Sequence, residues 1–310
     1  MDSSIIKKFK KEYGFKNPVL LKKLDTRGNR RAFLIADGND KYVLKSLPYN
    51  KELKNRLEFL SKIKKQGVNI PALINTRSNK KYFLFSHNAF FLSEFIDLKE
   101  NRPSEYFFKN LGGIVGKFHK IKIKNSKIPE VDIKEKIKKL KATFSKKKID
   151  IKIRKEIINF CSSFPSIFGA TTGLVHGDIS YYNVLGRKKL FLIDLDDVSR
   201  GPIVYDLGQM IAFMFNLIPF DFPKLGMKMK QISRPFFLKS GLESFFENYS
   251  QEIKLSKKDI EILPKMAMLA CAENIYLKPE GIFKWNYKRF EKIEKNQGLI
   301  KQLAQKYFKK

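Results

Sequence analysis

Leu174-Val175-His176-Gly177-Asp178-Ile179-Ser180-Tyr181-Tyr182-Asn183, followed after a short gap by Leu190-Phe191-Leu192-Ile193-Asp194, is the stretch on which the reading of this chain turns. Two apolar runs, Gly173 to Val175 and Leu190 to Ile193, interrupt helical patterns and predict short buried strands. The first delivers His-x-Asp, with an Asn five residues after the Asp. The second ends in another Asp. A loop of this length lets Asp178 and Asn183 converge on one pocket from its two ends, while Asp194 adds a separate carboxylate. Oxygen ligands of this kind suit a hard cation that binds through few protein groups plus phosphate oxygens. The plain alternative is turn-forming Asp and Asn at strand ends. With only three histidines in the chain, a chance match at all these offsets has odds of roughly one in a thousand or less.

Upstream, Pro18 to Leu24, Arg31 to Ala36 and Lys41 to Leu47 read as three strands. They are separated by the turn clusters Asp25 to Arg30 and Asp37-Gly38-Asn39-Asp40, which makes an antiparallel sheet. Lys51 to Lys65 changes to helical spacing, with Leu53, Leu57, Leu60 and Ile63 on one face, and Gly67 and Pro71 stop it. Ala72 to Thr76, Tyr82 to Phe85 and Phe90 to Phe95 read as further strands. Beyond Asp97 the pattern is mainly helical: Ser104 to His119, Val131 to Lys148, Lys152 to Phe164, Asp206 to Leu217, Leu242 to Tyr249, Lys258 to Leu277 and Tyr287 to Phe308. The compositional shift near Asp97 predicts two domains, 1–97 and 98–310. The chain shows no internal repeat and no low-complexity linker.

Length and composition bound the function. The 310 residues, 43% apolar and 13% aromatic, are enough for a sizeable core and exclude disorder over most of the length. The longest apolar run, Met210 to Phe220, is too short to span a bilayer. Met1 to Lys11 is polar and charged, unlike a signal segment. Cys161 and Cys271 cannot build a disulfide framework. These features predict a soluble cytoplasmic protein. The net charge of +32 would ordinarily point to an anionic partner. Lysine outnumbers arginine by 52 to 11, however, and sequence-reading proteins lean on arginine forks. A solvated lysine surface is therefore expected rather than a nucleic-acid interface.

His-x-Asp with Asn five residues on, then a strand ending in Asp, is the arrangement of kinase-type phosphoryl transfer. His176-Gly177-Asp178 to Asn183, Ile193-Asp194-Leu195-Asp196 and Tyr205-Asp206-Leu207-Gly208 together resemble the aminoglycoside phosphotransferase and choline kinase-like superfamily. Spore-coat-kinase-like or homoserine-kinase-like members are the nearest in pattern, and the resemblance runs from about Leu20 to Leu217. It implies an α+β, bilobal protein-kinase-like fold: a small antiparallel β lobe with one helix, a hinge and a large, mainly helical lobe. By the same resemblance, Asp178 corresponds to the catalytic base, and Asn183 and Asp194 to the Mg²⁺ ligands. Lys45, at the end of Tyr42-Val43-Leu44-Lys45, corresponds to the phosphate-contacting lysine. Glu58 is its expected carboxylate partner, with Glu52 as the rival. Ser93-Glu94-Phe95-Ile96 corresponds to the hinge, whose main chain would bond the adenine of ATP, with GTP left open as the donor. His176 is expected to brace the loop, Asp206 to anchor it, and His119 to pack in the core.

Departures from the pattern carry information as well. The turn Asp25 to Arg30 holds a single glycine, and Asp196 stands where protein kinases have the glycine of Asp-Phe-Gly. It is expected either near the metal or solvating the turn. Asp206 comes only twelve positions after Asp194, too close for an activation loop and its Ala-Pro-Glu anchor. The expected acceptor is a hydroxyl of a small molecule. The resemblance puts the acceptor pocket among the C-terminal helices, where Glu273 and Trp285 are the candidate contacts. A non-catalytic, kinase-like structural or assembly protein of the spore-coat type is the competing reading. Oligomeric state is left open.

Overall fold

The structure, a computed structural model, describes residues 3–25, 31–96, 104–122, 128–146, 149–186, 189–221, 233–277 and 280–308. The chain divides into two compact units. The first comprises Met1–Leu98 together with Ser126–Ile128 and Phe191–Asp196. The second comprises Lys99–Asn125, Pro129–Leu190 and Asp197–Lys310. The expected division was continuous. Here the short segment ending in Asp194 and Asp196 groups instead with the N-terminal unit, where the Leu192 N–H donates to the Asn69 carbonyl at 3.0 Å. The expected boundary at Asp97 and most of the Asp25 to Arg30 turn lie outside the described residues.

In the first unit, helix α1 (Ser3–Tyr13) precedes strands β1 (Val19–Asp25), β2 (Arg31–Asp37) and β3 (Asp40–Pro48). Helix α2 (Lys51–Lys65) comes next, then β4 (Leu73–Ile74), β5 (Phe83–Phe85) and β6 (Asn88–Glu94). The strands form one antiparallel sheet in the order β1-β2-β3-β6-β4, with β5 also on β6. The β2–β3 hairpin closes at Asp37 opposite Asp40. Gly38 takes a φ of 62° at the first turn position, which a side chain would resist. Asn50 caps α2, its Oδ1 accepting from the Leu53 N–H at 2.7 Å. Helix α1 has no counterpart in the sequence reading, because lysines dominate that segment. Its Phe9 and Tyr13 nonetheless fall four residues apart and pack with Phe33, Ile35, Leu44, Phe83, Phe90 and Leu92.

The second unit contains α3 (Glu105–Lys120), α4 (Ile133–Lys146), α5 (Ile151–Ser162), β7 (Thr172–Val175) and β8 (Val184–Leu185). Next in the chain is β9 (Phe191–Leu192), which groups with the first unit. The second unit resumes with β10 (Ser199–Pro202), α6 (Val204–Phe213), β11 (Asn216–Leu217) and β12 (Phe236–Phe237). It ends in α7 (Lys239–Glu252), α8 (Lys257–Leu277), α9 (Glu280–Lys295) and α10 (Gln297–Phe308). Strands β7 and β10 pair antiparallel, Val175 opposite Ser199. The sequence predicts one helix from Tyr287 to Phe308; the structure has two, parted at Asn296. There the Asn296 side-chain amide donates to the Lys292 carbonyl at 2.6 Å, a bond that competes with a continuous backbone ladder. The helix expected from Asp206 to Leu217 stops at Phe213, and Asn216–Leu217 pairs with Phe236–Phe237 instead. Phe108, Phe215 and Phe245 join in a chain of ring contacts at 5.2 and 5.8 Å that fills the core between α3 and α7. Among the described residues no helix is long and apolar enough to cross a membrane.

Candidate active site

In the first unit the site is built on β3. Strand alternation puts Leu44 into the core, fully buried, and turns Lys45 to the other face. Lys45 Nζ lies 2.6 Å from Asp194 Oδ1 and 2.9 Å from Asp196 Oδ2. The backbone of Asp194 is left-handed, with φ 62°, an uncommon conformation for a residue with a side chain, and one that clusters at functional sites. A turn of 3₁₀ helix, Leu195–Asp197, comes directly after it and brings Asp196 round to the same ammonium. Burial alone would lower the Lys45 ammonium, but Asp196 and Asp194 outweigh it and hold the group above its ordinary range. The Asp196 carboxyl is pushed up by burial first and by the like charge of Asp194, with Lys45 pulling it back.

Glu58 does not take the expected part of Lys45's partner. Its side chain is 57% exposed on α2, with Lys54 Nζ at 4.0 Å, and Glu52 lies 3.9 Å from Arg56. The buried stripe of α2 is Leu53, Leu57, Phe59, Leu60 and Ile63, and the two carboxylates around Lys45 come from the segment after β9. Asp196 was readable only as a turn or metal-proximal residue. Its spacing of two from Asp194 is the signal that could have marked it as a second anion on one lysine.

The hinge residues continue β6. Ser93 faces Val43 on one side and Leu73 on the other, so this strand is internal to the sheet. The N–H groups of Glu94 and Phe95 donate to the carbonyls of Ala72 and Lys41, at 3.0 and 3.2 Å. The Glu94 carboxylate lies 3.4 Å from Lys64 Nζ. Ile96 is half-buried at the end of the segment.

In the second unit β7 runs into His176-Gly177-Asp178. Asp178 is exposed, and its side chain is steadied by Asn183, whose Nδ2 donates to the Asp178 carbonyl at 2.8 Å and to Asp178 Oδ2 at 2.9 Å. The amide nitrogen thus serves the loop, leaving Asn183 Oδ1 as the group with acceptor character. Asp206, fully buried at the start of α6, holds the loop from beneath. Its Oδ2 accepts from the His176 N–H at 2.7 Å and its Oδ1 from the Gly177 N–H at 2.8 Å. The Asp178 N–H points to His176 Nδ1 at 3.4 Å. His119, 2% exposed, places Nε2 3.1 Å from Asp206 Oδ2. So the residue expected merely to pack is bonded to the loop's anchor.

Glu273 and Trp285 have other engagements. Glu273 accepts from Lys136 Nζ and from the Tyr205 hydroxyl, both at 3.0 Å, tying α4 and α6 to α8. The Trp285 ring, half-buried on α9, has Lys288 Nζ over it at 4.6 Å. Cys161 and Cys271 are free and buried.

The structure therefore collects the expected residues into two sets, Lys45 with Asp194 in one unit and Asp178 with Asn183 in the other. Among the described residues no group of three or more His, Cys, Asp or Glu could hold a metal ion. Asp194 and Asp196 in the first unit offer carboxylate oxygens and Asn183 in the second an amide oxygen, the donor type that suits a hard cation such as Mg²⁺.

The sequence model of the phosphotransferase enzyme family matches residues 24–223, well over half of the chain. A comparison with curated protein sequences gives no match. Among solved structures, an amicoumacin kinase in complex with AMP-PNP, Ca²⁺ and Ami is similar at 15% identity and a TM-score of 0.65, over 97% of this chain and 94% of that one. A microcompartment-associated aminopropanol kinase is similar at 15% identity and a TM-score of 0.66, over 97% and 99%. The choline kinase LicA from Streptococcus pneumoniae is similar at 16% identity and a TM-score of 0.56, over 96% and 98%. At such identities these likenesses speak for the fold, and the family match carries the rest: the chain belongs to the phosphotransferase enzyme family, as a kinase-type enzyme with the protein-kinase-like fold of the aminoglycoside phosphotransferases and choline kinases.

Proposed function

We propose that this chain transfers the γ-phosphoryl group of ATP to a hydroxyl of a small molecule, with Asp178 as catalytic base. The observation that carries this reading is the exposed Asp178 carboxylate, held by Asn183 on a loop whose backbone is fixed by Asp206. In the reaction the acceptor oxygen bonds to the γ-phosphorus as the bond to the β–γ bridging oxygen breaks. The nucleoside diphosphate leaves, and the hydroxyl proton passes to Asp178. Transfer of this kind demands positioning and charge neutralisation more than covalent chemistry.

Lys45 places a positive charge for the nucleotide phosphates, kept ionised by Asp194 and Asp196. Asn183 and Asp194 would each supply an oxygen ligand for Mg²⁺. Once bound, that ion neutralises charge on the phosphate oxygens. Base contacts fall to the backbone around Ser93, Glu94, Phe95 and Ile96, where the Glu94 and Phe95 N–H groups are already donated within the sheet. Glu58 has no part in holding the nucleotide lysine in this arrangement.

A small acceptor is favoured by the segment beyond Asp194. Residues 195–203 are used up by the 3₁₀ turn, by β10 and by the approach to α6, which leaves no platform for a peptide. Amino alcohols, the class that includes the named substrates of two of the similar kinases, are the first acceptors to try. The test is a screen of hydroxylated metabolites, amino alcohols and aminoglycosides with Mg·ATP, repeated with Asp178→Ala. The expected outcome is turnover with at least one acceptor and a loss of about a hundredfold or more in the variant. Full activity in Asp178→Ala would refute the assignment.

A further inference from the structure

His119 is not the end of the chain of bonds below the catalytic loop. Its other ring nitrogen, Nδ1, lies 2.8 Å from the hydroxyl of Tyr249 on α7, and both residues are buried. Tyr249 can reach it because α3 and α7 meet almost backbone to backbone. A Cβ on Gly112 would collide with the Phe245 carbonyl, and one on Gly116 would come within 2.6 Å of the Glu252 Cβ. Glycines four residues apart on α3 thus open a lane for α7, and Tyr249 projects from α7 at the level of His119.

The direction of each bond is set by its partners. Asp206 receives two backbone N–H groups, so its oxygens accept, and His119 must present its proton on Nε2. Nδ1 is then an acceptor, and the Tyr249 hydroxyl donates to it. Burial, with Asp206 and Asp259 nearby, pushes that hydroxyl well above its ordinary range and keeps the donor proton in place.

We propose that Tyr249 is a positioning residue for phosphoryl transfer: it fixes the His119 tautomer, which orients Asp206, which holds the amides of His176 and Gly177 and so the aim of Asp178. The inference rests on Asp178 being the base, but two of its readouts do not depend on activity. The experiment compares the full-length chain with Tyr249→Phe. Histidine-ring ¹⁵N spectra of the unaltered chain should show His119 protonated at Nε2, and a proton on Nδ1 overturns the proposal without any variant. In Tyr249→Phe, amide exchange at His176 and Gly177 should quicken by about twofold to tenfold, the scale of one hydrogen bond. Exchange at Ala267 in the core of α8 should stay unchanged.

The turnover number should fall by a similar factor with the KM for Mg·ATP unaltered. Unchanged exchange at 176 and 177 overturns the proposal, as does a uniform rise across the unit that marks general loosening. The expected exchange effects with no turnover in the parent chain would sink the proposed function and leave this linkage standing.

Discussion

Lys45 carries its charge between two carboxylates, one 41% and the other 8% exposed. Removing the ammonium strands Asp196 in the interior. Lys45→Met should lower stability by about 3 kcal/mol, the lower end of the range for breaking a buried pair, measured by urea unfolding. The pH dependence has a definite sign. The folded-state value of Lys45 is raised, so its contribution is fully present below the ordinary lysine value of 10.5 and is lost as pH rises above it. The stability gap between the parent and the variant should therefore shrink as pH rises above 10.5; a gap unchanged there would contradict the pairing. At this scale the loop residues were legible, because Asp178, Asn183 and Asp194 announce themselves by type and spacing. The partner of Lys45 was not, because it lies 149 residues away, beyond the reach of any local spacing.

Among the elements, α3 shows how much a helix pair can depend on two small residues. Ser104 caps it, with Oγ accepting from the Phe107 N–H at 3.1 Å, and its boundaries were readable from that cap and from helical spacing. The consequence of Gly112 and Gly116 was not. Gly112→Ala would ordinarily raise helix propensity by about 1 kcal/mol. Here the methyl meets the Phe245 carbonyl, and overpacking of about 1–3 kcal/mol should win. Thermal unfolding should show a lower midpoint for Gly112→Ala, whereas Gly113→Ala, with open space at its Cβ, should not destabilise. Helix α1 makes the opposite point. Its apolar spacing was present in Ile5, Phe9 and Tyr13, but the lysines between them mask a helix that only the sheet beneath it makes worthwhile.

At the scale of the whole molecule the formal charge of +32 is spread over many exposed lysines, whose ion pairs on helix surfaces contribute little. The unfolding equilibrium should instead shift with a ligand that binds the folded chain alone. Mg·ATP at about a hundred times its dissociation constant should add about 2.7 kcal/mol, seen as a midpoint that climbs with concentration. Asp194→Ala should flatten that climb in Mg·ATP titrations, and an undiminished response would remove Asp194 from the metal site. A change of pattern near Asp97, from strands to helices, was legible in the sequence. The grouping of Phe191–Asp196 with the first unit was not, since it depends on where a passing segment docks rather than on its own periodicity.

Most strands and helices and the Asp-Asn-Asp pattern are local properties, set by backbone preference, side-chain period and the chemistry of neighbours a few residues apart, so the order of residues alone determined them. Helix α1 and the strand Asn216–Leu217 depend instead on the surfaces they pair with. Which lysine meets which carboxylate, and that His119 joins Asp206 across 87 residues and Tyr249 across 130, was decided only by the tertiary structure. Such contacts form where packed faces happen to meet. No periodicity along the chain encodes that meeting, which arises from the close approach of helices and the burial of polar groups that must then find each other.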